Sequence, residues 1–597
     1  MRLVLVAFGC LLFAQMASAH DLSTGWNQYL GDAARTSAGT QSGPGAGARV
    51  LWNKTFETGV TGDYGSPPAL ADGTVYYGSS EFFSEGSQGW LHAYEARTGA
   101  DRWDPVRMGN SIQSTPTVVG GNVIGIGRDR NATLYAVDKQ NGHTTWTRAL
   151  SAGTQNSPAI DGDSLYLAVA GKPGFVAVKT ADGAIKWQGD QYVLANRNAV
   201  ATWDGTVFVG VWAGSRELGA ATIGCNKPCS DDYFYALDAA TGQIRWRVDP
   251  TDATKTEDNF ITSATAVGGL VYAATQLVSD PAIPSRLFAL DASDGHVVWK
   301  QELPSAGWMS IAVVDGLVVA PDSGGYVHVL DAKTGSATCQ RCWTKRYDHA
   351  ITTTLVVGGD TLYFGSVTMT TCALQGKDYP GTKDGFFRAV SLADGAEVWT
   401  VPLGPRLPQA AWAVAQGYAA GVAFQLQSMG CFRAPTADLI VVGDDAASHA
   451  PNAAPTLSDF VPPSSTNAVA PGSSLQWTGH DADAGDALRY DVYFGPHDPP
   501  PLASHLQTSS AYTPTMQTGL TYHWRVVAYD PHGAKVEGPA LTLSTAGTST
   551  SSKPVTTPTS ESSKASPPGP TKSKGFLDGP ELLVVLLVVA WAATRRR

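Results

Sequence analysis

The sequence predicts an all-β protein: an eight-bladed β-propeller followed by a β-sandwich. Three observations carry that expectation. One phrase ending in Trp recurs through the first two-thirds of the chain at a spacing of roughly 40–50 residues, the period of a propeller blade. The 597 residues include 64 Gly, 36 Pro, 17 Trp, 21 Tyr and 18 Phe, with only 16% charged, a balance of turn formers and aromatics that argues against a helical bundle. Residues 455–546 then alternate apolar and polar side chains without the repeat, as half-buried strands do. The formal net charge of −11, with Arg2 and Arg595–Arg597 at the extreme ends, makes the middle more acidic still and excludes a nucleic-acid partner.

Residues 1–19 read as a secretory signal: Arg2, the apolar run Leu3–Phe13 and the small-residue site Ala17-Ser18-Ala19. Cleavage there leaves His20 first. An N-terminal His chelates copper only with a second His beside it. The twelve His are scattered, none in H-x-H or H-x₃-H spacing.

The repeat follows. It appears as 93-AYEARTGADRW-103, 136-AVDKQNGHTTW-146, 177-AVKTADGAIKW-187, 236-ALDAATGQIRW-246, 289-ALDASDGHVVW-299 and 389-AVSLADGAEVW-399, with a stretched copy at 329-VLDAKTGSATCQRCW-343. A second phrase precedes each copy, as in 65-GSPPALADGTVYYGS-79 or 157-SPAIDGDSLYLAV-169. A strand ends at Ala-x-Asp, whose carboxylate bonds the turn backbone. Gly four residues later supplies a positive φ, and Trp four further on fills the gap to the next blade. Trp52, Trp103, Trp146, Trp187, Trp246, Trp299, Trp343 and Trp399 count eight blades. After Trp399, the strands 411–417, 420–427 and 438–444 make an eighth, whose outer strand is 50-VLWNKTF-56 from the N-terminal side.

The A-x-D-x-x-T-G-x-x-x-W phrase resembles the tryptophan-docking motif of the quinoprotein (PQQ) repeat superfamily, and 26-WNQYLGDAARTS-37 is similar to the lead-in of its secreted members. The resemblance covers residues 24–446 and implies the fold. It spans alcohol dehydrogenases, non-enzymatic assembly lipoproteins and surface proteins. For the dehydrogenases it implies PQQ, a Ca²⁺ held by carboxylate and amide oxygens, and an Asp base. The adjacent Cys pair common in those enzymes is missing; the Cys-bearing loop 224-GCNKPCSDDYFYALDAATG-242 resembles that of polyvinyl-alcohol-dehydrogenase-like members. Loop residues Glu81, Glu85 and Glu217 are candidate metal or substrate contacts, and Arg128 and Arg130 candidates for an anionic ligand, although a solvated loop charge is the favoured reading of each. An assembly lipoprotein needs Cys after the signal, where this chain has His20.

Outside the signal there are six Cys, an even number that implies disulfides in an exported chain. Proximity in sequence suggests Cys225–Cys229 and Cys339–Cys342, leaving Cys372–Cys431. Cys342 is followed by Trp343, so the C-x-x-C is no haem site. A zinc site needs two C-x₂-C pairs, and only one has that spacing.

After a linker at 447–454, residues 455–546 resemble the fibronectin type III-like modules of prokaryotic surface proteins, with Trp477 early and 520-LTYHWRVVAYDPHG-533 as a long strand. Asp481, Asp483 and Asp486 form a D-x-D-x-G-D loop, a candidate Ca²⁺ site or a plain turn. Residues 547–575 are rich in Ser, Thr and Pro and read as an extended stalk. Residues 576–594 carry a short apolar run, and the closing 595–597 are Arg, a resemblance to the sorting tails of surface proteins that places the tail in the cytoplasm. Asn53 and Asn131 begin glycosylation sequons.

Signal, propeller, sandwich, stalk and anchor together read as a protein displayed on the cell surface and anchored by its C-terminus. The expectation is a non-catalytic propeller binding an extracellular protein, a glycan or a small molecule. The alternative is a PQQ- and Ca²⁺-dependent alcohol dehydrogenase.

Overall fold

The computed structural model describes residues 25–546 apart from short stretches, chiefly 58–65, 194–198, 212–232, 249–258, 277–285, 305–309, 427–432 and 445–452. Eight sheets follow one another among the described residues; seven contain four antiparallel strands in sequential order and the eighth contains three in that order. The fourth is typical, with strands Ala201–Trp203, Thr206–Gly210, Phe234–Asp238 and Ile244–Val248 from the axis outward. In the eighth, Arg406–Ala415, Tyr418–Leu426 and Arg433–Gly443 supply three strands, and Arg49–Glu57 pairs beside the last of them. The N-terminal strand therefore closes the ring, as the sequence predicts.

The recurring Trp residues tie each blade to its successor by the same contact. The indole N–H of Trp52, Trp103, Trp146, Trp187, Trp246, Trp299 and Trp343 donates to the carbonyl just after the turn position of the next blade, which is Asp or Glu in five copies and Lys179 or Ser391 in the other two, over 2.8–3.3 Å. The turn glycine beneath is needed twice over. Gly242 takes φ +74°, and a Cβ there would sit 2.4 Å from the Trp187 ring. Gly242→Ala is therefore expected to cost about 2–4 kcal/mol, from left-handed backbone plus overpacking, read as a lower denaturant midpoint.

Blade 8 has no such turn, because its outer strand arrives from the other end of the chain. Trp399 donates instead to the Pro44 carbonyl at 3.0 Å, and the Asp444 carboxylate accepts the Gly45 N–H at 2.7 Å. Acid and carbonyl come from opposite ends, yet together they rebuild the docking turn. In blade 6 the longer turn carries the Cys339–Cys342 disulfide and still delivers Trp343.

The lead-in from Trp26 to Ser42 winds through the centre. It pairs with the inner strand of blade 1 at Leu70, and its carbonyls accept from Ala266, Val313, Val357 and Gly417 of blades 5 to 8. Arg35 is its hub and is fully buried. Its guanidinium donates to the carbonyls of Val200 (2.7 Å) and Ser157 (3.3 Å), and to those of Tyr29 and Pro158. Burial pulls its pKa down to about 10, against the pull of Asp32 and Tyr29. Asp32 in turn accepts the Thr36 N–H at 3.1 Å.

Residues 456–545 form two facing sheets around Trp477, Tyr490, Val492 and Trp524. The larger sheet includes Arg489–Gly495, Leu502–Gln507 and Thr521–Tyr529. This unit does not stand apart as a spacer. The other face of that sheet, with Tyr493, Leu502, Leu506, Val527 and Tyr529, joins the core of blades 5 to 7.

Candidate functional site

Antiparallel order gives each blade two kinds of connection. Turns between the first and second strands, and between the third and fourth, lie on one face. Loops between the second and third strands, and between blades, lie on the other. The sandwich covers the turn face. Trp203 of blade 4 donates to the Leu502 carbonyl at 2.6 Å, Gly268 of blade 5 donates to the same carbonyl, and Asp315 of blade 6 accepts from Thr508. Asp360 of blade 7 pairs with Arg489.

At the centre of this contact lies His505, fully buried between Asp491 of its own sheet (2.8 Å) and Asp32 of the lead-in (3.7 Å). Asp491 also accepts from the Leu506 N–H and the Tyr529 hydroxyl. Burial opposes the imidazolium, but the charge and hydrogen bond of Asp491, then the charge of Asp32, push its pKa up to about 9.

The loop face carries the residues singled out in the sequence. Glu81 accepts from Ser79 Oγ at 2.8 Å and lies 3.6 Å from His92, whose other ring nitrogen meets Tyr94 Oη at 2.9 Å. Burial works against the Glu81 charge, yet the bonds from His92 and Ser79 outweigh it and hold the carboxyl below its usual range. Ser79 is wholly buried, so its 2.9 Å contact with His92 offers no accessible nucleophile. Arg128 donates to Gln113 at 3.4 Å. Glu85, Arg130, Glu217, Cys225, Cys229, Cys431 and Asp486 lie outside the described residues, as does the side chain of Cys372.

The starts of the inner strands are lined with hydroxyls, the Ser and Thr of the second repeat phrase. They bond blades together. Ser157 Oγ accepts from Thr115 N (2.9 Å), Ser263 Oγ from Ala199 N (2.9 Å) and Thr354 Oγ1 from Ser310 N (3.4 Å). Others brace their own blade: Ser66 Oγ accepts from Gly78 N and Thr353 Oγ1 from Gly365 N. Ser114 Oγ, Thr115 Oγ1 and Asn156 Nδ2 are buried without a partner. These are hydroxyl and amide groups, and Asn156 Oδ1, the atom a cation needs, is taken by Thr154 at 2.5 Å.

Among the described residues, one group of three His, Cys, Asp or Glu lies within metal-binding reach: Asp291, Asp294 and His296. It sits on the exposed turn of blade 5, on the opposite face from the loops. Among the described loop-face residues no such group of three comes together. In the sandwich, Asp481 Oδ1 accepts from the Asp483 N–H, and Asp483 accepts from the N–H of Ala453, thirty residues earlier. Asn53 and Asn131 are exposed. Among the described residues no helix is long and apolar enough to cross a membrane; residues 576–594 lie outside them.

Two features of the structure left little trace in the sequence. Arg35 lies inside the lead-in, but three of its partners are the backbone carbonyls of Ser157, Pro158 and Val200, far along the chain. Trp203 stands where the other blades carry small, aliphatic or acidic residues, and that break in the repeat was its signal.

A family model described as "Outer membrane protein assembly factor BamB", built on the PQQ-type repeat, matches residues 87–215 and 230–415. Tetrathionate hydrolase of Acidithiobacillus ferrooxidans is 24% identical over 267 residues, 40% of this chain and 48% of that protein. BamB of Moranella endobia is 25% identical over 275 residues, 43% and 63% respectively. Polyvinylalcohol dehydrogenase of a Sphingopyxis species is 22% identical over 284 residues, 45% and 41%. The chain spans less than two-thirds of the length of each of these relatives.

Proposed function

The chain belongs to the PQQ-repeat family described as outer membrane protein assembly factor BamB, and from that premise we propose that it is a surface-displayed, non-catalytic propeller that binds a ligand or partner. One observation carries this reading. The described inner-strand hydroxyls of the loop face serve to join blades or brace them, and no carboxylates converge among them to hold a cofactor. Relatives named as assembly factors accord with a binding role. The signal at 1–19, the Ser/Thr/Pro-rich stalk at 547–575 and the apolar segment at 576–594 support export, display and C-terminal anchoring. In this reading residues 455–546 are a fibronectin type III-like module, and Cys225–Cys229 and Cys372–Cys431 are bridged like Cys339–Cys342.

The second reading, a PQQ- and Ca²⁺-dependent alcohol dehydrogenase, has in its favour the relation to polyvinylalcohol dehydrogenase and the Cys-bearing loop at 224–242. Reconstituting the full purified chain with PQQ and Ca²⁺ decides between them. The expected result is an unchanged quinone absorbance spectrum and no alcohol-dependent dye reduction. A spectral shift accompanied by turnover overturns the binding reading.

A further inference from the structure

A crevice of about 690 Å³ separates the sandwich from the turn face of blades 4 to 6. That volume falls within the ~300–1,000 Å³ of small-molecule sites, which favour interdomain positions. Trp203 of the propeller and Tyr512 of the sandwich line it with partly exposed rings, and the buried Tyr272, Phe494 and Tyr522 lie behind them. Phe494 and Tyr522, buried in the sandwich core, stack on each other at 4.9 Å and 14° and back the sandwich wall. Ser504, Ser509, Thr513 and Thr515 put hydroxyls along the same lining.

Its charges are internally balanced. Asp315 is paired with Arg341 at 2.5 Å, and His505 lies between Asp491 and Asp32. Asp204 and Lys333, of opposite sign, are exposed at the rim. A strongly anionic or cationic ligand finds no complementary field here. Flat aromatic faces bordered by hydroxyls suit a molecule with apolar C–H faces and a polar edge.

We propose that this crevice binds a short neutral oligosaccharide, its pyranose faces against the aromatic walls and its hydroxyls on the Ser and Thr rim. The assignment rests on the binding reading above and names its ligand class. Trp203 also has a structural bond to Leu502, so removing it can undock the sandwich; the test uses a filled crevice instead.

Maltotriose, cellotriose, chitotriose and mannotriose are each titrated calorimetrically against the full chain and against Thr513→Trp, whose exposed position lets the new ring occupy the crevice. The expected result is saturable binding of at least one trisaccharide tighter than ~1 mM. Thr513→Trp weakens it at least tenfold while melting at the wild-type temperature. Tyr512→Ala, checked for the same melting temperature, weakens it similarly. No heat with any of the four sugars, or binding indifferent to both variants, overturns the assignment. The binding reading survives that outcome and falls only to turnover with PQQ.

Discussion

Arg35→Met is expected to destabilise the propeller by about 3–5 kcal/mol, the largest effect of any single substitution considered. The Met side chain fills much of the same space, so the loss is one of hydrogen bonding. Four carbonyls lose their donor, those of Ser157, Pro158 and Val200 in a buried setting and that of Tyr29 in a half-buried one. Each unsatisfied buried group costs about 1–3 kcal/mol, partly relieved by local rearrangement. The same change loosens the lead-in, whose Leu30, Arg35 and Ser37 all hold left-handed backbone at φ 58°, 62° and 53°. Tight packing keeps them there against the local preference. Arg35→Lys retains the charge but has a single donor group, and falls between the two. Denaturant midpoints of the three proteins check the order. A wild-type midpoint in Arg35→Met contradicts the hub.

Raising the pH through 9 is expected to weaken the hold of the sandwich on the propeller. His505 has a folded pKa of about 9, above its ordinary value of 6.5. A group whose folded pKa is raised contributes stability that is fully present below the unfolded value and is lost as pH climbs through the folded one. The window is therefore roughly pH 6.5–9, and the contribution is ~3 kcal/mol. His505→Gln removes the slope, since no proton is then taken up between Asp491 and Asp32. It also lowers stability at pH 6, where two carboxylates are left facing a neutral amide. Unfolding midpoints between pH 6 and 10 test this. A flat profile for the wild type between pH 6.5 and 9 contradicts the charged imidazole.

Much of the fold was legible because its determinants lie close together in sequence. Asp238, Gly242 and Trp246 sit within nine residues, and the turn bond, the positive φ and the docking indole follow from their spacing alone. Ring closure was legible for a related reason: seven intervals between Trp residues left one blade short of a strand, and 50–56 was spare. The shared turn of Pro44, Gly45 and Asp444 was not, because half of its motif lies at each end of the chain.

Docking of the sandwich left a fainter trace. In 489-RYDVYFG-495 every residue is buried, although Arg489 and Asp491 occupy the alternate positions that face water in a strand with one wet face. An isolated module would expose Tyr493, and the fully buried Asp491 would lack its His505 partner. The loop-face acids could not be resolved from sequence, since whether Glu81 meets a metal or His92 depends on a neighbouring strand, not on its own neighbours.

Hydrogen exchange followed by mass spectrometry, on the full chain at pH 7, tests most directly whether lead-in, propeller and sandwich form one body closed on the turn face. The predicted result is that peptides covering 28–38 and 502–508 are protected as strongly as the inner strands 312–314 and 356–358, and lose protection together when Arg35 is changed to Met. Rapid exchange of 502–508 beside a protected propeller, with 28–38 equally unprotected, would contradict it.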